Sequence, residues 1–350
     1  MMYPKTLFLP TVVLDDFQTK LSPENVTMED VWLAENFSTV APSEQGSSAV
    51  PSSPLKAGLM SGMCALIIFG NIFNVSVILY NENLRNVTGS FMVALACADL
   101  GLGLLVLPLS VRTSLAGHWV YPESVCQYCG FLGTTFMVAS VLLLFDLSVD
   151  RYISIAKPIE YNNIMTGKKC KVMIFASWTV AAIYSAGPLY GWGSYEYSYK
   201  MYVCAVDIFS EVVFGLFAFI ILLPPLFVMC YLNGKIFMIA RSQAVQIQHA
   251  HVFPQAPNMF PVMSFKAAMT VGIVVVTFAV SWLPMLIAYM YSKFSGYKIP
   301  PNLSFAFMYL AVSNSFWNCV IYSTTNVRFR TGAKKLAVRI RQSILQTMER

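Results

Sequence analysis

Residues 125–153 read VCQYCGFLGTTFMVASVLLLFDLSVDRYI. The stretch exceeds the roughly 20 apolar residues that carry a helix across a bilayer, and its charges, Asp146, Asp150 and Arg151, gather at one end. Working outward, six more runs share its apolar character, at approximately 57–80, 90–112, 172–193, 209–238, 265–291 and 303–323. Of the 350 residues, 57% are hydrophobic and only 11% charged. A soluble domain carries about 45–50% apolar and about 25% charged residues. So little charge cannot coat a water-soluble globule, which excludes a soluble enzyme. The pattern predicts an all-α membrane protein, a seven-helix transmembrane bundle over 57–325, with a polar tail at 1–56 and a short segment at 326–350.

An odd number of spans puts the two ends of the chain on opposite sides of the membrane. With the C-terminus in the cytosol, 16 of the 23 lysines and arginines fall on the inner side, as positive residues do. The formal charge of +6 reflects this inner bias. It suits an anionic leaflet and is no sign of nucleic-acid binding. The first 56 residues hold seven acids against three lysines, with Pro and Ser clusters such as Pro51 to Pro54, so they read as a disordered extracellular tail. The sequons at Asn25, Asn36 and Asn302 lie outside in this topology and are candidate glycosylation sites. Those at Asn74 and Asn86 fall within the first span and the first inner loop, where they stay bare.

Polar groups at membrane depth each need an account, because a central Asp costs about 2.5–3.5 kcal/mol on insertion scales. Asp99 is one. Asn71, Ser140, Asn314, Ser315 and Asn318 are available to cluster with it around water or a small cation; a satisfied hydrogen-bond network without an ion is the alternative. At the inner end of the third span, Asp150 neutralises Arg151 beside Tyr152 in a pairing that can be exchanged for another. Asp146 has no firm role. Pro188, Pro224, Pro225 and Pro284 are expected to kink the fourth, fifth and sixth spans. Trp282, half a turn before Pro284, can couple ring movement to helix swinging, or it is core filler. Cys126 and Cys204 both lie outside, where the milieu permits a bridge, and Cys129 is ambiguous. None of the eight cysteines has zinc spacing, and His118, His249 and His251 form no metal set.

These residues resemble the rhodopsin-like class of G-protein-coupled receptors over roughly residues 57–342. The marks are Gly70-Asn71, Leu95 to Asp99, the Cys126/Cys204 pair, Asp150-Arg151-Tyr152, Trp178, Trp282-x-Pro284 and Asn318 to Tyr322, in order on the right spans. The resemblance implies that Arg151 contacts a heterotrimeric G protein, that Asp150 holds it at rest, and that Tyr322 belongs to the same switch. It implies a sodium pocket at Asp99, Ser140, Asn314, Ser315 and Asn318, and a rotamer switch at Trp282 on the pocket floor. Pro224, Val141 and Phe278 would form a packing relay, although Tyr231 fits the class better if Leu223 takes the proline's place. The class has proline where Cys319 stands, so a straighter seventh helix is expected. Many members carry an acid where Ser264 stands, so one resting restraint is missing and basal signalling should be substantial.

Amine receptors of the class place an aspartate where this chain has Gly133, and the seventh span has no lysine to form a retinal Schiff base, so an opsin is excluded. Around the expected pocket, Thr134, Met137, Met285, Leu286, Tyr289 and Met308 are mostly apolar and flexible. They suit an apolar or lipid-like small molecule, a pocket plugged by the protein's own loop, or simply lipid-compatible packing. Residues 150–162 and 310–323, with Gly191-Trp192-Gly193, are similar to a vertebrate pair of orphan receptors. That likeness implies ligand-independent signalling through the stimulatory G protein and cyclic AMP. The second outer loop, 194–207, with Tyr195, Tyr197, Tyr199 and Tyr202, would then act as a tethered agonist. Trace-amine or cannabinoid-like relatives remain an alternative.

On the inner side, Phe329, Ala333, Leu336, Ala337 and Ile340 recur at helical spacing among Arg and Lys. They predict an amphipathic eighth helix in the headgroup plane. No cysteine follows Cys319 to carry a palmitoyl anchor, and Ser343 and Thr347 are the few hydroxyls beyond, which argues for weak arrestin recruitment. A secondary transporter would show internal repeats and several midplane charges, and an intramembrane enzyme would show a catalytic constellation at one depth. Neither is present in the sequence. The expected location is the plasma membrane, with the N-terminus outside.

Overall fold

The structure is a computed structural model that describes residues 53–206, 212–250 and 260–348. The tail expected to be disordered, with Asn25 and Asn36, lies outside the described residues. Seven long helices follow one another: α1 (Pro54–Tyr80), α2 (Val87–Ala116), α3 (Glu123–Ala156), α4 (Gly167–Ala186), α5 (Val212–Ala250), α6 (Phe260–Ser295) and α7 (Pro301–Thr325). An eighth, α8 (Val327–Met348), closes the described chain. Neighbours in sequence pack side by side, α7 returns against α1, and α3 runs through the middle in contact with α2, α4, α5 and α6.

Local chemistry sets the ends. Ser53 caps α1 from just before Pro54, accepting from the Lys56 amide at 3.4 Å. Asn86 caps α2 through the Gly89 amide at 2.9 Å, and Thr166 caps α4 through the Lys169 amide at 3.3 Å. Each side-chain oxygen satisfies an amide that the first helical turn leaves open. Asn326 ends α7 and starts α8 by accepting from the Phe329 amide at 3.1 Å. The α2 helix holds one irregularity, a π turn at Leu102–Val106 just before Pro108. Proline has no amide to give to the regular ladder, and the wider turn absorbs the mismatch.

Six of the described helices are apolar and long enough to span a membrane. The seventh, α7, is not among them because it buries Ser304, Ser313, Asn314, Ser315 and Asn318. Its polar residues turn inward, so hydropathy understates it. No proline interrupts α7, in keeping with cysteine at 319.

Three expectations about these elements need correction. Pro188 does not kink α4; the helix ends at Ala186, and Pro188 sits at the start of a 3-10 turn, Gly187–Tyr190, where a missing amide costs nothing. The fifth and sixth helices run beyond the predicted spans 209–238 and 265–291, since α5 continues to Ala250 and α6 begins at Phe260, which puts Pro261 in the first helical turn. The α1 helix begins at Pro54, inside the segment assigned to the tail.

Two short strands, β1 (Glu196–Ser198) and β2 (Val203–Ala205), form an antiparallel hairpin in the second outer loop, pairing Tyr197 with Cys204. On the inner side, α8 lies against α1. Its Phe329 is fully buried and meets Phe73 edge-on at 6.0 Å. The same helix carries six arginines and lysines and no acid, and Arg339 reaches back to the Tyr80 hydroxyl at 3.1 Å.

Candidate functional site: an inner lock, a polar core and a plugged mouth

At the inner end of α3, Asp150 is fully buried and accepts from three other residues. Arg151 donates through Nη2 at 2.8 Å and Nε at 3.1 Å. Thr88 Oγ1 on α2 donates at 2.7 Å, and the Tyr161 hydroxyl, from the turn Tyr161–Ile164, donates at 2.6 Å. Charge-assisted bonds of this kind are the strong ones. Burial, then the Asp150 carboxylate, push the Tyr161 phenol up from its ordinary value, so it remains a donor. Thr88 and Tyr161 were not singled out from the sequence; a hydroxyl ten residues beyond Arg151 was the only signal. Tyr152 packs beside Ile155 and Ile236, joining α3 to α5. Tyr322 is buried, and its hydroxyl has no partner. The Ser264 side chain lies outside the described residues, and α6 is tied to α7 through Thr270 Oγ1 and Thr325 Oγ1 at 2.8 Å.

Midway through the bundle, Asn318 Nδ2 donates to Asp99 Oδ2 at 3.3 Å, and the Ser315 and Ser140 side chains flank the same carboxyl group. The Asn71 amide donates to the Ile67 carbonyl at 3.0 Å and the Ser315 carbonyl at 3.1 Å, linking α1 to α7, and its Oδ1 is buried without a protein partner. Asp99 Oδ1, Ser140 Oγ, Asn314 Oδ1 and Asn318 Oδ1 are buried without protein partners. A small cavity at this core is lined by Met137, Ser140, Phe278, Trp282, Asn314 and Ser315, among others. Phe278 and Trp282 stack at 6.0 Å. Asp146, which had no role, is buried on the α4 side of α3 and accepts from Ser177 Oγ at 2.8 Å.

Pro224 does not join the relay with Val141 and Phe278. It is exposed, whereas Leu222, Leu226 and Met229 turn toward the core that holds those two residues. Helical residues advance by about 100° each, so a face built on 222, 226 and 229 points position 224 outward. Tyr231 is exposed as well.

The outer mouth is filled from above. A bridge joins Cys126 on α3 to Cys204 on β2, and Cys129 is a buried free thiol. The Tyr195 ring rests on Gly130, so close that a Cβ there would clash with its Cδ1, Cγ and Cβ. Its hydroxyl donates to the Ser185 carbonyl at 2.7 Å, and Thr134 stands beside it. Gln127 Nε2 donates to the Tyr195 carbonyl at 3.1 Å. Among the residues expected to line the pocket, Tyr289 donates to Met201 Sδ at 3.2 Å, and Met285 and Met308 pack in one cluster with Tyr202, Val203 and Met201. Gly133 is buried against Val106 of the π turn. Leu286 is half-buried on α6, which carries Pro284 in its interior. Asn302 is exposed at the start of α7.

Residues 70–322 match the family described as 7 transmembrane receptor (rhodopsin family). The chain belongs to that family. It is 31% identical to the human (Homo sapiens) histamine H2 receptor over 287 residues, covering 79% of this chain and 78% of that one. It is 29% identical to trace amine-associated receptor 9 of Rattus norvegicus over 286 residues, or 78% and 84% of the two chains. The crystal structure of squid rhodopsin superposes with a TM-score of 0.70 at 20% identity, covering 81% of this chain and 85% of that one, a likeness of fold. The protein is therefore a multi-pass membrane receptor of the G-protein-coupled class rather than an enzyme.

Proposed function

We propose that the chain is a plasma-membrane receptor, N-terminus outside and C-terminus in the cytosol, that activates a stimulatory heterotrimeric G protein with substantial ligand-independent activity. The second outer loop, 194–207, takes the place of a soluble agonist. One observation carries this reading: the Tyr195 side chain occupies a notch that only a glycine at 130 leaves open, clamped by the neighbouring disulfide. Apolar loop residues meet the methionines of α6 and α7 there. A pocket already filled in this way needs no diffusible amine, which agrees with Gly133 in place of an acid. Arg151 carries the signal once it leaves Asp150, and α8 lays its basic residues on the inner leaflet.

The polar core fits a sodium ion. Asp99, Ser140, Asn314 and Asn318 present buried oxygens without protein partners, the hard donors that such a cation takes. The ion would supply a positive charge that balances Asp99 in a low-dielectric interior.

The test is a cyclic-AMP readout, without ligand, of the wild type, Arg151→Ala and a chimera with 194–207 replaced. The wild type should exceed mock-transfected cells, and both variants should fall to the mock level at equal surface expression. A wild type at the mock level, or a chimera as active as wild type, overturns the reading.

A further inference from the structure

Beside the plugged mouth lies a second group of buried residues, enclosed by the outer halves of α1, α2 and α7 and the underside of the hairpin. Tyr202 is its centre. It is the only described non-glycine residue in the left-handed region, at φ 56, yet its side chain has no exposed surface and its hydroxyl no partner. A tyrosine held in an unfavourable backbone state to bury an unsatisfied hydroxyl goes against two preferences at once, and such strain collects at functional sites. Ser114 Oγ and Ser304 Oγ are also buried without partners at this end of the bundle. The Tyr309 hydroxyl is directed toward Ser110.

The charge here is positive. Lys56 Nζ stands 5.4 Å from the centre of the Tyr202 ring and 5.2 Å from that of Phe305. Among the described residues no carboxylate pairs with it. Tyr202 and Phe305 meet edge-on at 6.1 Å, and Phe305 packs on Tyr309 at 4.5 Å. Beneath and around these rings are methionines: Met60, Met63, Met201, Met285 and Met308 all belong to this cluster. Methionine is the side chain that best reshapes around an irregular apolar guest.

We infer that this region is a binding site for a monocarboxylate with a long apolar chain. The carboxylate sits between the Lys56 ammonium and the Tyr202 hydroxyl, and the chain lies among the methionines. The ammonium gives the site its sign: an anion gains a charge-assisted bond, an amine meets a like charge, and an alcohol gains little. The site thus has the opposite polarity to the one implied by the names of the amine-receptor relatives. The inference rests on the receptor reading above and deepens it, because an occupant bound to Tyr202 holds the hairpin whose Tyr195 fills the mouth.

The experiment uses the full chain, purified and placed in phosphatidylcholine nanodiscs, with oleate, oleyl alcohol and oleylamine as probes. Oleate should raise the thermal unfolding midpoint in a saturable way, with little or no effect of the alcohol and the amine. Lys56→Gln should weaken the half-saturating oleate concentration about tenfold, the loss of one charge-assisted bond. Tyr202→Phe, which removes only an unpaired hydroxyl, should keep the unliganded midpoint and weaken oleate several-fold. Equal shifts by all three probes, or an oleate response unchanged in Lys56→Gln, would overturn the inference. Nucleotide exchange on a G protein by the unliganded chain tests the receptor reading separately, so the two can fail independently.

Discussion

The two ends of the bundle are held together by opposite means. At the inner end Asp150 is saturated: Arg151, Thr88 and Tyr161 all donate to it within 3.1 Å, and nothing about the local backbone is unusual. At the outer end, burial and the Cys126–Cys204 bridge accompany single hydrogen bonds such as that from Tyr195 to Ser185, and several hydroxyls go without partners while Tyr202 adopts a left-handed backbone. Hydrogen bonds fix an arrangement until a competing partner replaces them. Strain and unsatisfied polar groups leave an arrangement ready to change. On the receptor reading proposed above, the molecule is thus most settled where the G protein would enter and least settled where the loop or a guest would act.

The largest effect expected from disturbing this contrast is at Gly130. Gly130→Ala puts a methyl where the Tyr195 ring lies, an overpacking that costs about 1–3 kcal/mol. The ring should leave its notch, the thermal midpoint should drop, and most of the ligand-independent cyclic-AMP signal should go with it. An unchanged basal signal would separate the outer plug from signalling altogether. Next in size is Asp150→Asn, which keeps an acceptor for Thr88 and Tyr161 but removes the charge that holds Arg151. A bond to a charged group is worth about 1.5–3 kcal/mol, so ligand-independent nucleotide exchange should rise by up to about tenfold per 1.4 kcal/mol released. The smallest is Tyr161→Phe. Two donors and the Asp150 charge beside Arg151 remain, so exchange should rise less than in Asp150→Asn. A Tyr161→Phe rise larger than that of Asp150→Asn would move the inner lock from the ion pair to the loop.

Which parts of this were legible in the sequence follows from the range of each interaction. The spans could be read because twenty apolar residues in a row have one explanation, and Asp150-Arg151 because the two are adjacent. The seventh helix was legible by its motif, although its inward polar face lowers its hydropathy. The Ser177 partner of Asp146 lies 31 residues away on α4, and nothing in either segment names the other. Pro224 was misplaced for a different reason: an apolar helix has no polar face from which to read its rotation, and only packing shows that Leu222 and Leu226 turn inward. Pro188 was read as a kink because a proline inside an apolar run looks the same whether it bends the helix or ends it. Tyr202 is invisible as a strained residue until the hairpin register, Ser198 opposite Val203, is known.

The π turn at Leu102–Val106 has a consequence for the whole outer half of α2. One residue more per turn advances everything beyond it by about 100° around the helix axis. Ser110, Thr113 and Ser114 owe their burial to that offset. Removing a single residue from 102–106 would hardly shorten the helix, but it would swivel those three hydroxyls toward the acyl chains and bring a lipid-facing strip of α2 into the place they now occupy.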